Sequence, residues 1–577
     1  MSNLRLNNTI FNLKKLKIRK IIVNRNEYYF IGNFFNFLIE DNLYEISDFR
    51  NLIKKFSFET LISNSIGKFF VIKKKSSNIE ILTSTSFSGL FFIKKGKNFF
   101  FTTSENEILK KKNKIMLSKD YLSFFISSHR QIAYSPFTGI DSEIKRLPSG
   151  LRLTINRSLD KFDFYTNKNK YFYKNNFKNY DKILDLIFLS YKRNIKKKIT
   201  ILFSGGMDSC VLISKAIYNK LNFQGLYVNR AMKMNICELM VKYLSKKYSF
   251  RNKIITKNDK KLNFDFLKKN KKFKFHYNLI QTIDEISNPN HTQKNQVYLS
   301  GQNADTLYYI DTFAPNTYQI FINRFLQIIK SLHLRLFYSR FFLKLITNNF
   351  LFKILLVNKN DFYMKRILRL ISSGDEHISY LRTSNNINNK LINFREKTFL
   401  KPLLKILKIK NFYQLNADKL FNLLTKIKWL RFVVNTHLSF YENGRYNNSE
   451  FFTIYTEGPL VNFFGTNKIG ITEIFFIKPY QQKIIKKYLN FNFLVKQIKL
   501  RLGVKFSKRY KGLKTKRDFN AENTNILNKL TKTYIDQSKF LIIPIKNLKM
   551  KLNNFQKIRI LNLIVFLKNL KKKVNLY

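Results

Sequence analysis

The stretch Leu202-Phe203-Ser204-Gly205-Gly206-Met207-Asp208-Ser209 combines residue types that suit an anion together with its counter-cation. Gly205 and Gly206 let backbone N–H groups approach a phosphate with no Cβ in the way. Ser204 and Ser209 add hydroxyl donors. An apolar run, Ile199 to Phe203, comes before the stretch, and a helix-like segment, Ser209 to Tyr218, comes after it. A helix starting there contributes free N–H groups and the positive end of its dipole. Asp208 would repel a bare phosphate, so its presence makes sense with Mg²⁺ between carboxylate and phosphate. The spacing is not the Gly-x-x-x-x-Gly-Lys-Ser/Thr of the other common phosphate loop. The competing reading is a glycine turn that merely packs.

The stretch resembles the pyrophosphate loop, Ser-Gly-Gly-x-Asp-Ser, of ATP pyrophosphatases that form adenylates. Further along, Tyr298-Leu299-Ser300-Gly301-Gln302-Asn303-Ala304-Asp305-Thr306-Leu307-Tyr308 resembles the second signature of asparagine synthetases, Ser-Gly-x-Gly-Ala-Asp-Glu-Leu-Phe. Asp305 falls on that family's metal-binding aspartate, while Asn303 replaces a glycine and Thr306 a glutamate. A third run, from Ser449 through Pro459-Leu460-Val461-Asn462-Phe463 to Lys478-Pro479-Tyr480-Gln481-Gln482, is similar to the family's segment ending in Lys-x-x-Leu-Arg. It places Lys478 on the lysine that neutralises charge on the adenylate. The family's Glu-x-Arg-x-Pro-Phe is mostly lost here. Lys499 and Lys505 are the nearest alternatives, and a solvated lysine competes in a chain with 106 Lys and Arg.

The resemblance implies an AMP-forming amide ligase with ATP and Mg²⁺ as cofactors. Ser204, Gly205, Gly206, Asp208 and Ser209 would hold the β and γ phosphates. Asp208 and Asp305 would hold the metal, and Lys478 would stabilise the oxyanion. Backbone groups near Leu202, Val228, Ser300 and Gly301 would hold the adenine. The partners would be a small-molecule or peptide carboxylate and an amine donor, either ammonia or an amine of the substrate. Asp284-Glu285 with Pro289 is similar to the family's Asp-Glu-Pro stretch, and Glu238 stands where relatives have an acidic residue. Solvated surface charges are the alternative for both.

The N-terminal half is similar to the glutaminase domain of the same family. Phe101-Thr102-Thr103-Ser104-Glu105-Asn106-Glu107 matches its Phe-Ala-Ser-Glu-x-Lys segment, and Ile144-Lys145-Arg146-Leu147-Pro148-Ser149-Gly150 its Ile-x-Arg-Leu-Pro-Pro-Gly. The resemblance thus runs from about 60 to about 490. A class II glutaminase uses an N-terminal cysteine nucleophile with its own α-amine as base. Position 2 is Ser2, and Cys210 and Cys237 lie in the other half. The glutamine-gripping Asn-Gly-Glu-Ile-Tyr-Asn has no counterpart, and Thr83-Ser84-Thr85 replaces Asp-Arg-x-Gly. A non-hydrolysing scaffold is expected, as in β-lactam synthetases, carbapenam synthetases and lasso-peptide cyclases. A nucleophilic role for Ser2 stays open. So do a tRNA-modifying enzyme of the same loop family, such as a lysidine synthetase, and a decayed, non-catalytic family member.

These residues need elements to position them. The expected class is α/β. It would comprise an Ntn-hydrolase-like α+β sandwich over 1–170, a PP-loop ATP pyrophosphatase domain with a parallel sheet and helices over 180–510, and a basic extension over 511–577. Short apolar runs predict strands at Lys20–Val23, Phe69–Ile72 and Leu151–Thr154. Lys95-Gly96-Lys97 between Leu90–Ile93 and Phe99–Thr102 predicts a hairpin. Apolar spacing predicts a helix over Tyr180–Ile195, followed by strand Ile199–Phe203, helix Ser209–Tyr218 and strand Phe223–Val228. Strand, helix, strand in that order implies a parallel sheet. Phe337 to Val357 predicts a basic amphipathic helix, and 320–440 is expected to be mainly helical.

Composition bounds the rest. The 577 residues are 45% hydrophobic, with 59 Phe and 31 Tyr, which excludes wholesale disorder. Two cysteines exclude a disulfide scaffold, and the six histidines show no zinc spacing. A reduced, cytoplasmic chain is the expectation. No secretory signal and no 18-residue uncharged apolar window stands out, so no transmembrane segment is expected. The net charge of +70 suits a nucleic-acid partner. Abundant Lys, Asn, Ile, Phe and Tyr beside scarce Gly and Pro also follow from A/T-rich codons. The basic residues are scattered rather than gathered into one arm. Nucleic-acid contact and a homodimer both stay open.

Overall fold

The structure is a computed structural model that describes residues 3–13, 16–76, 78–117, 136–156, 160–165, 177–229, 236–256, 295–302, 304, 344, 347–354, 358–372, 396–434, 437, 449–465, 478–502, 521–536, 554–570 and 573–576. The chain is mixed α/β with several sheets. The N-terminal half contains β1 (Asn3–Leu6), β2 (Thr9–Asn12), β3 (Ile18–Val23), β4 (Asn26–Ile39), β5 (Asn42–Tyr44), α1 (Phe49–Lys55) and α2 (Phe58–Ser63). It continues with β6 (Ser65–Lys75), β7 (Asn78–Thr83), β8 (Leu90–Lys95), β9 (Asn98–Thr102), α3 (Glu105–Lys111) and β10 (Lys114–Leu117). It ends with β11 (Lys145–Leu147), β12 (Leu151–Ile155) and β13 (Asp160–Phe164). One sheet runs β1-β2-β9-β8-β11; the other runs β13-β12-β7-β6-β4-β3, with β5 beside β4.

The central strands β4 and β6 are apolar on both faces because both faces are covered. Tyr29, Ile31, Phe70 and Ile72 turn toward a core shared with Phe11, Phe92 and Phe101 of the first sheet. Their neighbours Tyr28, Phe30, Phe69 and Val71 pack with Phe49 and Leu52 of α1 and Phe58 and Leu61 of α2. The period of two along a strand produces this sorting. The expected hairpin is β8–β9, antiparallel, with Gly96 at φ +57° in its turn.

The next portion contains α4 (Phe177–Asn194), β14 (Ile199–Leu202), α5 (Met207–Tyr218), β15 (Phe223–Asn229), α6 (Ile236–Lys247), β16 (Asn252–Thr256) and β17 (Val297–Ser300). Then follow α7 (Asn349–Ile354), α8 (Lys359–Ser372), α9 (Lys401–Ile406), α10 (Ala417–Lys428) and β18 (Glu450–Thr453). After them come α11 (Gly458–Gly465), α12 (Pro479–Leu489), α13 (Phe493–Leu502), α14 (Ala521–Asp536), α15 (Asn554–Leu570) and β19 (Lys573–Leu576). The strands β16-β15-β14-β17-β18 form one sheet with every pair parallel. The first strand of the set, β14, is therefore central. The chain builds outward to one side through β15 and β16, then to the other through β17 and β18. That reversal makes a topological switch point between β14 and β17, and in open parallel sheets the crevice beyond the strand ends at such a point receives ligands.

Apolar packing continues across the expected boundary near 165–180. One apolar cluster runs from Phe92 and Leu153 through Ile187 and Phe188 to Ile201 and Val211. Polar ties reinforce it. The sole tryptophan, Trp429, donates its Nε1–H to the Ser149 carbonyl at 3.0 Å. Glu457 accepts from the Gly67 N–H at 2.8 Å and the Tyr191 hydroxyl at 2.6 Å. The region expected to be a basic extension also returns to the N-terminal half: β19 pairs in parallel with β10. Of the stretch 337–357, only 344 and 347–354 are described, and α7 within it is helical. Among the described residues, no helix is long and apolar enough to cross a membrane.

Lys426 on α10 is buried beside the Phe164 ring, 4.7 Å from its centroid, and burial pulls its ammonium down to about 7. Between about 7 and the ordinary lysine value, the unfolded chain holds a proton that the folded chain does not. Stability therefore rises with pH across that window. Lys426→Met should raise the urea midpoint at pH 7 and flatten the midpoint's dependence on pH between 7 and 10.

Candidate functional site

The glycine loop lies just beyond the C-terminal end of β14, at the switch point. Leu202 pairs with Leu226 of β15 on one side and Ser300 of β17 on the other. Val228 sits at the corresponding end of β15. The four residues expected around an adenine, Leu202, Val228, Ser300 and Gly301, thus stand at or just past the ends of three adjacent strands.

Locally the loop is organised by its own hydroxyls. Ser204 Oγ lies 3.1 Å from Ser209 Oγ and accepts the Gly206 N–H at 3.3 Å. Ser209 Oγ donates to the Gly206 carbonyl at 2.9 Å, and that carbonyl also takes the Cys210 N–H that starts α5. Gly206 is the N-cap, in an extended conformation. Gly205 has φ +73°, and a Cβ there would lie 2.2 Å from the Cys237 carbonyl in the first turn of α6. The turn therefore requires glycine twice over, for its backbone angle and for the close approach of α6. A Cβ on Gly301 would lie 3.3 Å from Cβ of Asp208 and from the Ser209 nitrogen. The end of β17 thus presses on the start of α5. Gly205→Ala should cost about 2 kcal/mol from the left-handed angle alone. The clash adds to that, and urea titration measures the sum.

Lys478 reaches this loop from 270 residues downstream in sequence. Its Nζ lies 2.5 Å from Oδ2 of Asp208, and the residue is 4% exposed. It is the N-cap of α12, in a left-handed conformation (φ 48°, ψ 60°), with Pro479 opening the helix. Two helix N-termini, those of α5 and α12, consequently meet at the same carboxylate. Tyr455, fully buried just after β18, donates its hydroxyl to the Asp208 carbonyl at 3.3 Å. Sequence reading missed Tyr455, and nothing in its local spacing marks it.

At their far ends, the same two helices are tied by a charged cluster that the sequence also did not reveal. Lys215 of α5, with no exposed surface, pairs with Asp181 of α4 and at 2.8 Å with Asp185. Asp181 further accepts from Lys487 at 2.8 Å and the Tyr488 hydroxyl at 2.9 Å, both on α12. Lys215 also lies over the Tyr488 ring, 4.1 Å from its centroid.

The remaining expected residues divide plainly. Asp305 and Thr306 lie outside the described residues, as do Asn303, Asp284, Glu285, Pro289, Lys505 and Ser2. Ala304, the last described residue before Asp305, is buried. Lys499 is an exposed residue of α13. Glu238 is buried and pairs with Lys242 at 2.8 Å, so it is not a solvated surface charge. Burial, then the neighbouring Cys237 and Asp208, push the Cys210 thiol well up, which leaves it inert as a nucleophile.

In the N-terminal half, the segments matched to a glutaminase spend their polar groups on the fold. Thr83 Oγ1 donates to the Pro148 carbonyl at 2.7 Å, and Ser84 Oγ to the Gly67 carbonyl at 3.0 Å. Glu107 accepts from Asn12 and Thr102, each at 2.9 Å. Arg146 is fully buried and donates to the Ser88 carbonyl at 2.6 Å.

No protein-family model matches the chain, and no curated protein matches it. The site's chemistry is therefore read from its geometry. Gly205 and Gly301 let α6 and the end of β17 close on the loop, and the loop leads into the N-terminus of α5. Asp208 already takes a cation, the Lys478 ammonium, on its Oδ2. Among the described residues no three His, Cys, Asp or Glu side chains gather. A metal here would take Asp208 as its protein ligand among those residues, with phosphate oxygens and water completing its shell, as suits Mg²⁺.

Proposed function

We propose that the chain is an asparagine synthetase-like, AMP-forming amide ligase. One observation carries this reading more than any other: Lys478, matched from sequence to the family's charge-neutralising lysine, has its ammonium on the Asp208 carboxylate. The strand order, which puts the loop at a switch point, supports it independently. On this reading the parallel-sheet portion is the adenylating domain. The N-terminal sheets are a glutamine amidotransferase-like sandwich without hydrolytic function, in keeping with hydroxyls already committed to the fold.

The loop N–H groups and the hydroxyls of Ser204 and Ser209 bind the β and γ phosphates of ATP, helped by the α5 dipole. Asp208 would hold Mg²⁺, which would supply charge neutralisation for the departing pyrophosphate. The ends of β14, β15 and β17 present backbone groups to the adenine. A substrate carboxylate oxygen attacks the α-phosphorus, the bond to the β-phosphate oxygen breaks, and an acyl-adenylate and pyrophosphate result. An amine then attacks the acyl carbon, AMP leaves with the bonding pair, and the amine gives up a proton. Lys478 stabilises the oxyanion that forms on the acyl oxygen.

ATP–pyrophosphate exchange, measured with Mg²⁺ across amino acids and peptide extracts, tests the reading. Exchange that requires one carboxylate supports it and identifies that substrate. Exchange that appears only with tRNA would replace it with RNA modification, and no exchange with either would remove it.

A further inference from the structure

Basic residues scattered along the sequence come together where four helices converge. Tyr218, the last residue of α5, has its ring centroid 4.5 Å from that of Tyr488 near the end of α12. Tyr248, just past α6, donates its hydroxyl to the Leu489 carbonyl of α12 at 2.6 Å, and Lys247 donates to the same carbonyl at 3.4 Å. The Tyr243 ring of α6 lies 6.1 Å from that of Phe491, which leads into α13. Lys496 of α13 holds its ammonium 3.5 Å from the Tyr243 centroid, and Lys487 lies 4.9 Å from the Tyr488 centroid. Ammonium groups and tyrosine rings therefore alternate over one surface. α5 is 12 residues long, so this surface stands about 18 Å from the glycine loop at the other end of that helix.

The surface is also cleared of acids. α12 and α13 contain no Asp or Glu. α5 and α6 contain Asp208 and Glu238, which are paired with Lys478 and Lys242. Asp181 and Asp185 of the neighbouring α4 are taken by Lys215, Lys487 and Asn219. Lys220, Lys246 and Lys486 are exposed, and among the described residues none of them meets a carboxylate. The N-terminal half is different. There Glu27 meets Lys20 and Lys74, Lys112 meets Asp141 and Glu143, and Arg152 meets Glu59 and Asp163. A codon bias enriches lysine throughout the chain, but it does not by itself clear one surface of acids. Nor do helix dipoles explain the pattern. They favour Lys246 and Lys486 in last turns, yet they oppose Lys496 near the start of α13.

We propose that the surface formed by the C-terminal ends of α5, α6 and α12 together with α13 binds single-stranded nucleic acid. The lysines meet phosphates, and like charges crowded without acids gain most from a polyanion. Tyr218, 56% exposed, offers its ring to an unstacked base. A duplex keeps its base faces covered, so an open ring favours a single strand. A lipid surface fits less well. Beside Tyr218, the exposed large hydrophobic residue of these four helices is Val495, which is too little to enter a bilayer. This surface is separate from the glycine loop and does not depend on the ligase reading.

The experiment follows fluorescence anisotropy of labelled oligo-U, oligo-dT and an RNA duplex with the full chain across a range of salt. Both single strands should bind more tightly than the duplex, and the stronger of the two identifies the sugar that is preferred. The variant carrying Lys220→Gln, Lys246→Gln and Lys486→Gln should lose about 2 from the slope of log affinity against log salt. Tyr218→Ala should bind about tenfold more weakly with the slope unchanged, and Tyr218→Phe should keep the parent affinity. The control carries Lys54→Gln, Lys55→Gln and Lys97→Gln, three exposed lysines of the N-terminal half, and should match the parent. An equal loss in the control would show that total charge, not this surface, draws the polymer, and would overturn the proposal. Duplex binding as tight as single-strand binding would overturn it too. So would a triple variant that loses sedimentation with phosphatidylserine vesicles but keeps its oligonucleotide affinity, which would assign the surface to lipid. ATP–pyrophosphate exchange by the triple variant should equal the parent's, so failure of this proposal and failure of the ligase reading are read separately.

Discussion

Asp208→Asn should lower ATP–pyrophosphate exchange by about three orders of magnitude, the scale of losing one preorganised charge at a reacting phosphate, while the chain stays folded. Asparagine keeps the shape of the side chain and an oxygen that can still accept from Lys478. The Tyr455 bond goes to the Asp208 backbone carbonyl and does not depend on the carboxylate. What disappears is the negative charge that would hold a divalent cation against the phosphates. The variant should therefore need far more Mg²⁺ for any residual exchange, and its urea midpoint should shift little. Weakening the pair costs less than removing one partner of a buried pair outright, which runs to about 3–5 kcal/mol. Exchange at the parent rate in Asp208→Asn would show that the loop binds phosphate without a metal at this residue. Adding Lys478→Met to the variant provides a second check. If metal and lysine act on the same carboxylate, the double variant should lose less than the sum of the two single losses.

The contrast between loop and lysine shows what a sequence can reveal here. The strand, the glycine turn and the helix from Ile199 to Tyr218 were legible because their determinants are local. Two glycines, a serine at each end and a change of apolar period occupy twenty consecutive residues. The β8–β9 hairpin was legible for the same reason, with Gly96 in the turn. Lys478 was named only through its likeness to the family's lysine segment, in a chain with 106 Lys and Arg. Its significance lies in the fold that brings the start of α12 to the start of α5. Tyr455 and the Asp181 cluster left no trace, since each depends on helices meeting across hundreds of positions. The return of β19 to β10 was missed because a four-residue strand in a Lys- and Leu-rich tail has no distinguishing pattern. The expected domain boundary was drawn from a change in composition, and composition does not report the apolar packing that runs across it.

Asp181→Ala should destabilise the chain by about 3–5 kcal/mol at pH 7, the range for breaking a buried ion pair. Lys215 has no exposed surface, so its ammonium cannot recover water when the Asp181 carboxylate is gone, and only Asp185 would remain to it as a charged partner, beside the backbone carbonyl of residue 181. Lys487 and Tyr488 would lose their acceptor at the same time. The dependence on pH identifies the cause. Burial pushes the Asp181 carboxyl up, but hydrogen bonds from Lys215 and Lys487, the charge of Lys215 and the Tyr488 hydroxyl together outweigh it, and the net shift is downward. A carboxyl lowered by folding stabilises fully above its unfolded value, near 4, and loses that contribution as pH falls through the folded value. Parent and variant should therefore differ most at neutral pH and converge below pH 4 in urea titrations. Curves that stay parallel down to pH 3 would show that lost packing, not lost charge, explains the variant. The same substitution should reach the glycine-loop end, because α5 and α12 are tied at both ends: Asp208 to Lys478 at one, Lys215 to Tyr488 through Asp181 at the other. Releasing the far tie lets α12 turn about the near one, and on the proposed function the cost should fall on kcat rather than on the KM for ATP, since the glycine loop leads into α5 and Lys478 belongs to α12.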